Sequence, residues 1–164
     1  ASGDGRYLPL VCTLNAARVI TWGASLLGVD LDAFAKLALA APSGAAGLIF
    51  TPYLEGERTP NLPDATATLE GVSLTSGSRK NFARACVEGM LRNLVSAAKI
   101  MENSGVSVER IVLIGGASTN PAVQQIAQEM FSAPVEIIAP GEYVALGASR
   151  QAEHVYRSAQ TDSP

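Results

Sequence analysis

The sequence is short of the residues on which metal and triad chemistry depend. His154 is the only histidine, which leaves little support for a His-based metal site or a Ser-His-Asp triad. There are two cysteines. Cys12 falls in a predicted strand and Cys86 in a predicted helix, so both read as buried thiols and not as a disulfide, which fits a reducing cytoplasm. Charge is sparse at 16%, and 12 basic against 15 acidic residues give a net −3 with no basic cluster. That balance argues against a nucleic-acid surface. No apolar run approaches ~20 residues, so no membrane span is expected. Ala1–Arg6 lacks the basic stretch and apolar core of a signal peptide. Neither Gly-x-Gly-x-x-Gly after a strand nor Gly-x-x-x-x-Gly-Lys-Ser/Thr occurs, which removes the Rossmann fingerprint and the P-loop.

What is present is apolar material, 48% of 164 residues, enough for one domain or a large piece of one. The chain is organised around Arg110-Ile111-Val112-Leu113-Ile114 followed by Gly115-Gly116-Ala117-Ser118-Thr119-Asn120-Pro121. The β-branched run predicts a strand buried on both faces, as in a parallel sheet. Two glycines then allow close approach to the backbone. Asn120 and Pro121 have the N-cap and first-turn chemistry that starts a helix. Strand, glycine turn and helix N-terminus form a nucleotide-binding arrangement in α/β sheets, and also a common connection that binds nothing.

Taken in order, residues 7–15 predict a strand, with Pro9 at an edge or early position. Ala16 to Leu27 predicts a helix closed by Gly28, and Asp30 or Asp32 opens another. Leu48–Thr51 reads as a second buried strand. Residues 52–77 form the longest stretch without helical period. Three prolines, one glycine and four charges within 52–64 predict an ordered loop in which Glu57 or Glu55 pairs with Arg58 as a surface ion pair. Ser78 to Ser104 predicts the longest helix, with a core stripe of Phe82, Cys86, Met90, Leu94, Ala97 and Met101. Lys80, Arg84, Arg92 and Lys99 are placed on the opposite face. Gly89 in mid-helix implies close packing against another backbone. A helix over Pro121–Phe131 and a strand over Pro134–Ala139 complete a right-handed βαβ unit. A last helix, Val144 to Tyr156, is expected to turn Val144, Leu146, Gly147, Ala148 and Ala152 inward, and Ser158–Pro164 to form a disordered tail.

Tyr53-Leu54-Glu55-Gly56-Glu57-Arg58-Thr59-Pro60, Ile114-Gly115-Gly116-Ala117-Ser118-Thr119-Asn120-Pro121 and Ala145-Leu146-Gly147-Ala148 stand in the order and spacing of the FGGY carbohydrate kinases. Arg84-Ala85-Cys86-Val87-Glu88-Gly89 also resembles the helix before that family's Gly-Gly strand. The loop is most similar to that of xylulokinases, and the similarity covers about residues 7 to 157. The resemblance implies an α/β domain of the actin-like ATPase (ribonuclease H-like) type, with a central mixed sheet flanked by helices. It assigns residues 1–157 to the C-terminal nucleotide-binding domain of a sugar kinase, with the N-terminal strands of that domain missing. ATP and Mg²⁺ are the implied cofactors. Gly115, Gly116 and Ala117 would approach the nucleotide through backbone, Asn120 would contact its base or ribose side, and Ala17 and Thr21 would lie nearby. Asn120 has the competing task of capping its helix.

The family's catalytic aspartate and glycine-threonine phosphate turn map upstream of Ala1, and Asp4 lacks the flanking sequence of that base. No catalytic or metal-binding residue is therefore assigned, and the chain alone is expected to be inactive. Pro63-Asp64-Ala65-Thr66-Ala67-Thr68 departs from the Pro-x-Ala-Arg-Gly of many relatives, and Tyr143 replaces a glycine. The implied parent is a cytoplasmic kinase transferring the γ-phosphate of ATP to the terminal hydroxyl of D-xylulose. The alternatives are another FGGY kinase acting on gluconate, glycerol or ribulose, or a non-catalytic nucleotide-binding fragment or regulatory module. A chaperone-type ATPase is disfavoured by the Glu-Gly-Glu-Arg-Thr-Pro loop. The expected partners are a small-molecule sugar, neither nucleic acid nor membrane, and the missing half or a second copy in a homodimer, because an unpaired edge strand is sticky.

Overall fold

A 25-residue helix, α3 (Arg79–Asn103), is the axis on which three other helices and one strand pack. The computed structural model describes residues 7–161. Ala1–Arg6, Asp4 within it, and residues 162–164 of the expected tail lie outside the described residues. The helices α1 (Ala17–Leu27), α2 (Leu31–Leu39) and α4 (Pro121–Met130) pack on α3, as does β1 (Ile49–Thr51). β1 pairs antiparallel with β2 (Thr68–Glu70), and β3 (Ile111–Leu113) pairs parallel with β4 (Val135–Ile137). Both kinds of pairing that a mixed sheet requires are thus present, in two separate two-stranded pieces. The last element is α5 (Tyr143–Thr161). Among the described residues no helix is long and apolar enough to cross a membrane.

Local chemistry sets the helix ends. Gly28, in the left-handed region, closes α1. Asp30, not Asp32, caps α2, its side chain accepting from the Ala33 N–H at 2.7 Å. Ser78 caps α3 in the same way. Val19, Phe34, Val87, Leu91 and Ile126 form the centre of the core. Cys86 lies among them, and burial pushes its thiol up to about 12. Both cysteines are free; Cys12 is only half-buried.

Gly89 answers the expectation placed on it. A Cβ there would stand 2.3 Å from the Phe50 carbonyl oxygen, so the missing side chain is what lets α3 lie against β1. Trp22 stacks on Phe50 with ring centroids 5.4 Å apart, joining α1 to the same strand.

Several expectations are corrected. Residues 7–15 form no strand: a strand needs a partner, none of the described residues pairs with them, and the Leu14 N–H goes to a side chain instead. Thr68–Glu70, inside the expected loop, is a strand because it completes the hydrogen bonds of β1. β1 is buried only at Phe50, and β3 is half-buried, with Val112 exposed; among the described residues β4 is its one neighbouring strand. Arg84 is not on a solvated face. It is 2% exposed, with Nε 2.6 Å from Glu88 Oε1 and a second ion pair to Glu129 of α4. Lys80, Arg92 and Lys99 are exposed as expected. Val144, Leu146, Gly147, Ala148 and Ala152 do not face a core; all are exposed on α5. That helix also continues to Thr161, into the stretch expected to be a tail.

Candidate functional site

The glycine turn between β3 and α4 is fastened from within. Ser118 Oγ donates to the Gly115 carbonyl at 2.7 Å, Thr119 Oγ1 to that of Gly116 at 2.8 Å, and Gln124 Nε2 to that of Ser118 at 2.7 Å. Gly115 has φ +89°, a conformation that favours glycine. No Cβ built at Gly116 would meet an atom within 4 Å, so its surface is open to an approaching group. Among the described residues nothing accepts from the Gly116 or Ala117 N–H.

Asn120 caps α4. Its Oδ1 accepts from the N–H groups of Ala122 at 2.9 Å and Val123 at 3.3 Å. The cap uses only the amide oxygen, and Nδ2 has no partner among the described residues. Three donors, two from the backbone of the glycine turn and one from Asn120, therefore have no partner among the described residues.

A cavity of about 400 Å³ opens beside this turn. Ala17, Ile20 and Thr21 of α1 form one wall, Leu31 and Asp32 of α2 a second, and Gly116, Ala117, Thr119, Asn120 and Pro121 a third. Five of the six residues expected from sequence thus meet in one place. The sixth, Gly115, lines an adjoining cavity of about 390 Å³ bounded by Leu113 and by residues 138–143, with Gly116 and Thr119 common to both. Among the described residues no lysine or arginine lines either cavity, and Asp32 is the one charged residue lining the first. Sequence reasoning missed Ile20, Leu31, Asp32, Thr119 and Pro121. Ile20 could have been found, since 17, 20 and 21 share one helix face. Leu31 and Asp32 carried no such signal, because the α1–α2 turn brings them in. Among the described residues no group of three His, Cys, Asp or Glu side chains could hold a metal ion.

The loop 52–64 is ordered by a buried carboxylate and not by a surface ion pair. Glu57 is 1% exposed. Its Oε1 accepts from the N–H of Leu14 at 2.6 Å and of Arg58 at 2.8 Å, and its Oε2 from Nδ2 of Asn15 at 3.0 Å and of Asn93 at 3.2 Å. Asn15 also donates to the Gly56 carbonyl at 2.7 Å. Burial pushes the Glu57 carboxyl up, but hydrogen bonds from the Asn15 side chain and from the backbone of Leu14, Arg58 and Asn15 outweigh it and hold it below its usual range. Glu55 pairs with Arg18 of α1, and Arg58 makes no ion pair among the described residues. The expected pairing fails because donors from Leu14, Asn15, Asn93 and the Arg58 backbone satisfy the Glu57 carboxylate without the Arg58 guanidinium.

Comparison with known proteins gives a consistent answer. The profile of the FGGY family of carbohydrate kinases, C-terminal domain, matches residues 13–154. A xylulose kinase of Streptomyces coelicolor is 35% identical over 155 residues, which cover 93% of this chain and 30% of that protein. The crystal structure of xylulose kinase from Bifidobacterium adolescentis superposes with a TM-score of 0.84 at 45% identity, covering 93% of this chain and 30% of that one. Gluconate kinase from Lactobacillus acidophilus superposes with a TM-score of 0.78 at 28% identity, covering 87% of this chain and 30% of that one. The chain thus spans less than a third of the length of the curated relatives reported, 31% and 30% of the two xylulose kinases of Haemophilus influenzae and Streptomyces coelicolor. Its fold is α/β, of the actin-like ATPase type.

Proposed function

Because the chain belongs to the FGGY family of carbohydrate kinases, as part of its C-terminal domain, we propose that the cavity between α1, α2 and the start of α4 holds the adenosine end of ATP. The observation that carries this reading is the meeting of Ala17, Thr21, Gly116, Ala117 and Asn120 around one cavity. Ile20, Leu31 and Pro121 supply apolar walls suited to a base. The free N–H groups of Gly116 and Ala117 and the Asn120 amide donate to ring nitrogens or ribose oxygens. Asp32 accepts from a ribose hydroxyl or an amino group.

Charge argues for the adenosine end and not for the phosphates. A triphosphate beside Asp32, with no lysine or arginine among the described lining residues, would meet repulsion from that carboxylate. In this proposal the phosphates point away from Asp32, toward the rest of the kinase, which also supplies the sugar pocket and the base on the sugar hydroxyl. Mg²⁺ accompanies ATP in this proposal, and no residue of this chain is assigned to it. The γ-phosphate passes in line to the hydroxyl, and this chain's residues contribute binding and orientation. The chain alone is inactive.

The proposed substrate is D-xylulose and the setting cytoplasmic, where the free thiols of Cys12 and Cys86 would persist. A gluconate kinase is the second reading, favoured by the solved gluconate kinase that shares the fold. ADP release by the full-length protein, with Mg-ATP and a panel of D-xylulose, D-ribulose, gluconate and glycerol, decides between them. Turnover with xylulose far above the others is the expected result. ATP binding without turnover on any sugar would leave a nucleotide-binding module.

A further inference from the structure

We infer that Glu57 is a positioning residue for the nucleotide cavity: from the loop 52–64 it fixes the start of α1, and with it the wall formed by Ala17, Ile20 and Thr21. The inference rests on the nucleotide reading of that cavity. It begins with a defect in α1. The residue before the helix is Ala16, which has no side chain to cap it. A helix end without a cap frays, and the first turn of α1 carries Ala17 into the cavity.

Glu57 supplies the missing anchor from outside. Its carboxylate takes the Leu14 N–H and the Asn15 amide, the two residues just before Ala16, and ties them to Asn93 of α3. Asn15 returns the grip by accepting from the Leu54 N–H at 3.2 Å through its Oδ1. Glu55 of the same loop reaches Arg18 in the first turn. A carboxylate suits this place for two reasons. It has acceptors only, and four donors converge on it. Its negative charge also lies at the N-terminal end of α1. The loop therefore acts on the cavity without lining it.

The test compares variants of the full-length kinase by calorimetric ADP binding and by KM for ATP and for the sugar. In Glu57→Gln the side chain keeps one acceptor oxygen and presents an NH₂ group to donors. ADP affinity is expected to fall about tenfold and the KM for ATP to rise in parallel, while the KM for the sugar is unchanged. Adding Asn93→Asp gives the new NH₂ group an acceptor and restores most of the affinity. Val87→Ala, a core change on α3 away from the cavity, lowers the unfolding temperature without altering ADP affinity. Should Glu57→Gln fail to fold, Asn93→Ala decides, because it removes only the 3.2 Å donor; its ADP affinity is expected to fall about threefold. Wild-type ADP affinity in Glu57→Gln, or in Asn93→Ala where only that variant folds, overturns the inference. So does an equal rise in KM for both substrates. Failure of the wild-type kinase to bind ADP would instead overturn the nucleotide reading itself.

Discussion

Gly89 of α3 lies against the carbonyl oxygen of Phe50 in β1, so closely that a Cβ would stand 2.3 Å from it. Helix propensity and packing therefore pull this position in opposite directions. Alanine in mid-helix gains ~1 kcal/mol over glycine on propensity alone. Gly89→Ala is nevertheless expected to destabilise the fold by about 1–3 kcal/mol, because the strand must move. A lowered urea midpoint at unchanged m-value is the signature. A raised midpoint would show that α3 and β1 have room to separate.

Arg84 and Glu88 form a buried pair, and Glu88 Oε1 also accepts from the Gly44 N–H at 2.9 Å. Arg84→Met leaves that carboxylate buried without its cation and should cost about 3–5 kcal/mol in chemical denaturation. Adding Glu88→Gln removes the orphaned charge while keeping an acceptor for Gly44, and recovers part of the loss. Equal stability of the single and double variants would show that Glu129, not Glu88, is the partner that matters.

Asn120 caps α4 through its amide oxygen, and in the proposed function its Nδ2 serves the nucleotide. Asn120→Ala loses the cap, worth about 1 kcal/mol, and raises the KM for ATP of the full-length kinase more than that for its sugar. Asn120→Asp retains the capping oxygen, so stability is kept, yet it loses Nδ2 and still raises the KM for ATP. Equal effects on both substrates, or none, would leave Asn120 as a helix cap only.

Glu57 gives the fold an acid-sensitive point. Its carboxyl is held below the ordinary value of 4.5, so below that pH the unfolded chain binds the proton more readily than the folded one. The stability it contributes is complete above about pH 4.5 and is lost as pH falls through its lower folded value. Urea unfolding between neutral pH and pH 3 should show this loss in the wild type and a shallower slope in Glu57→Gln. Parallel slopes would mean that other carboxylates set the acid limit.

Periodicity and end chemistry alone determined much of this protein. The stripe of α3, the cap at Asn120, the Gly28 stop and the βαβ unit around Gly115-Gly116 follow from pattern and end chemistry, and such rules read them. The six candidate residues came from motifs, and five of them meet because α1 and the glycine turn are brought together. What only the tertiary structure decided are the matters of partnership. Arg84 looked like a surface cation until α4 supplied Glu129. Residues 7–15 have strand composition but no neighbour to pair with. Glu57 looked like the partner of the Arg58 guanidinium, and its carboxylate is held by the Arg58 backbone N–H together with Leu14, Asn15 and Asn93. Asp32 reaches the cavity only through the turn between α1 and α2. A side chain's propensities are written in its own segment, but its hydrogen-bond partners and its burial are set by whatever the rest of the chain brings against it.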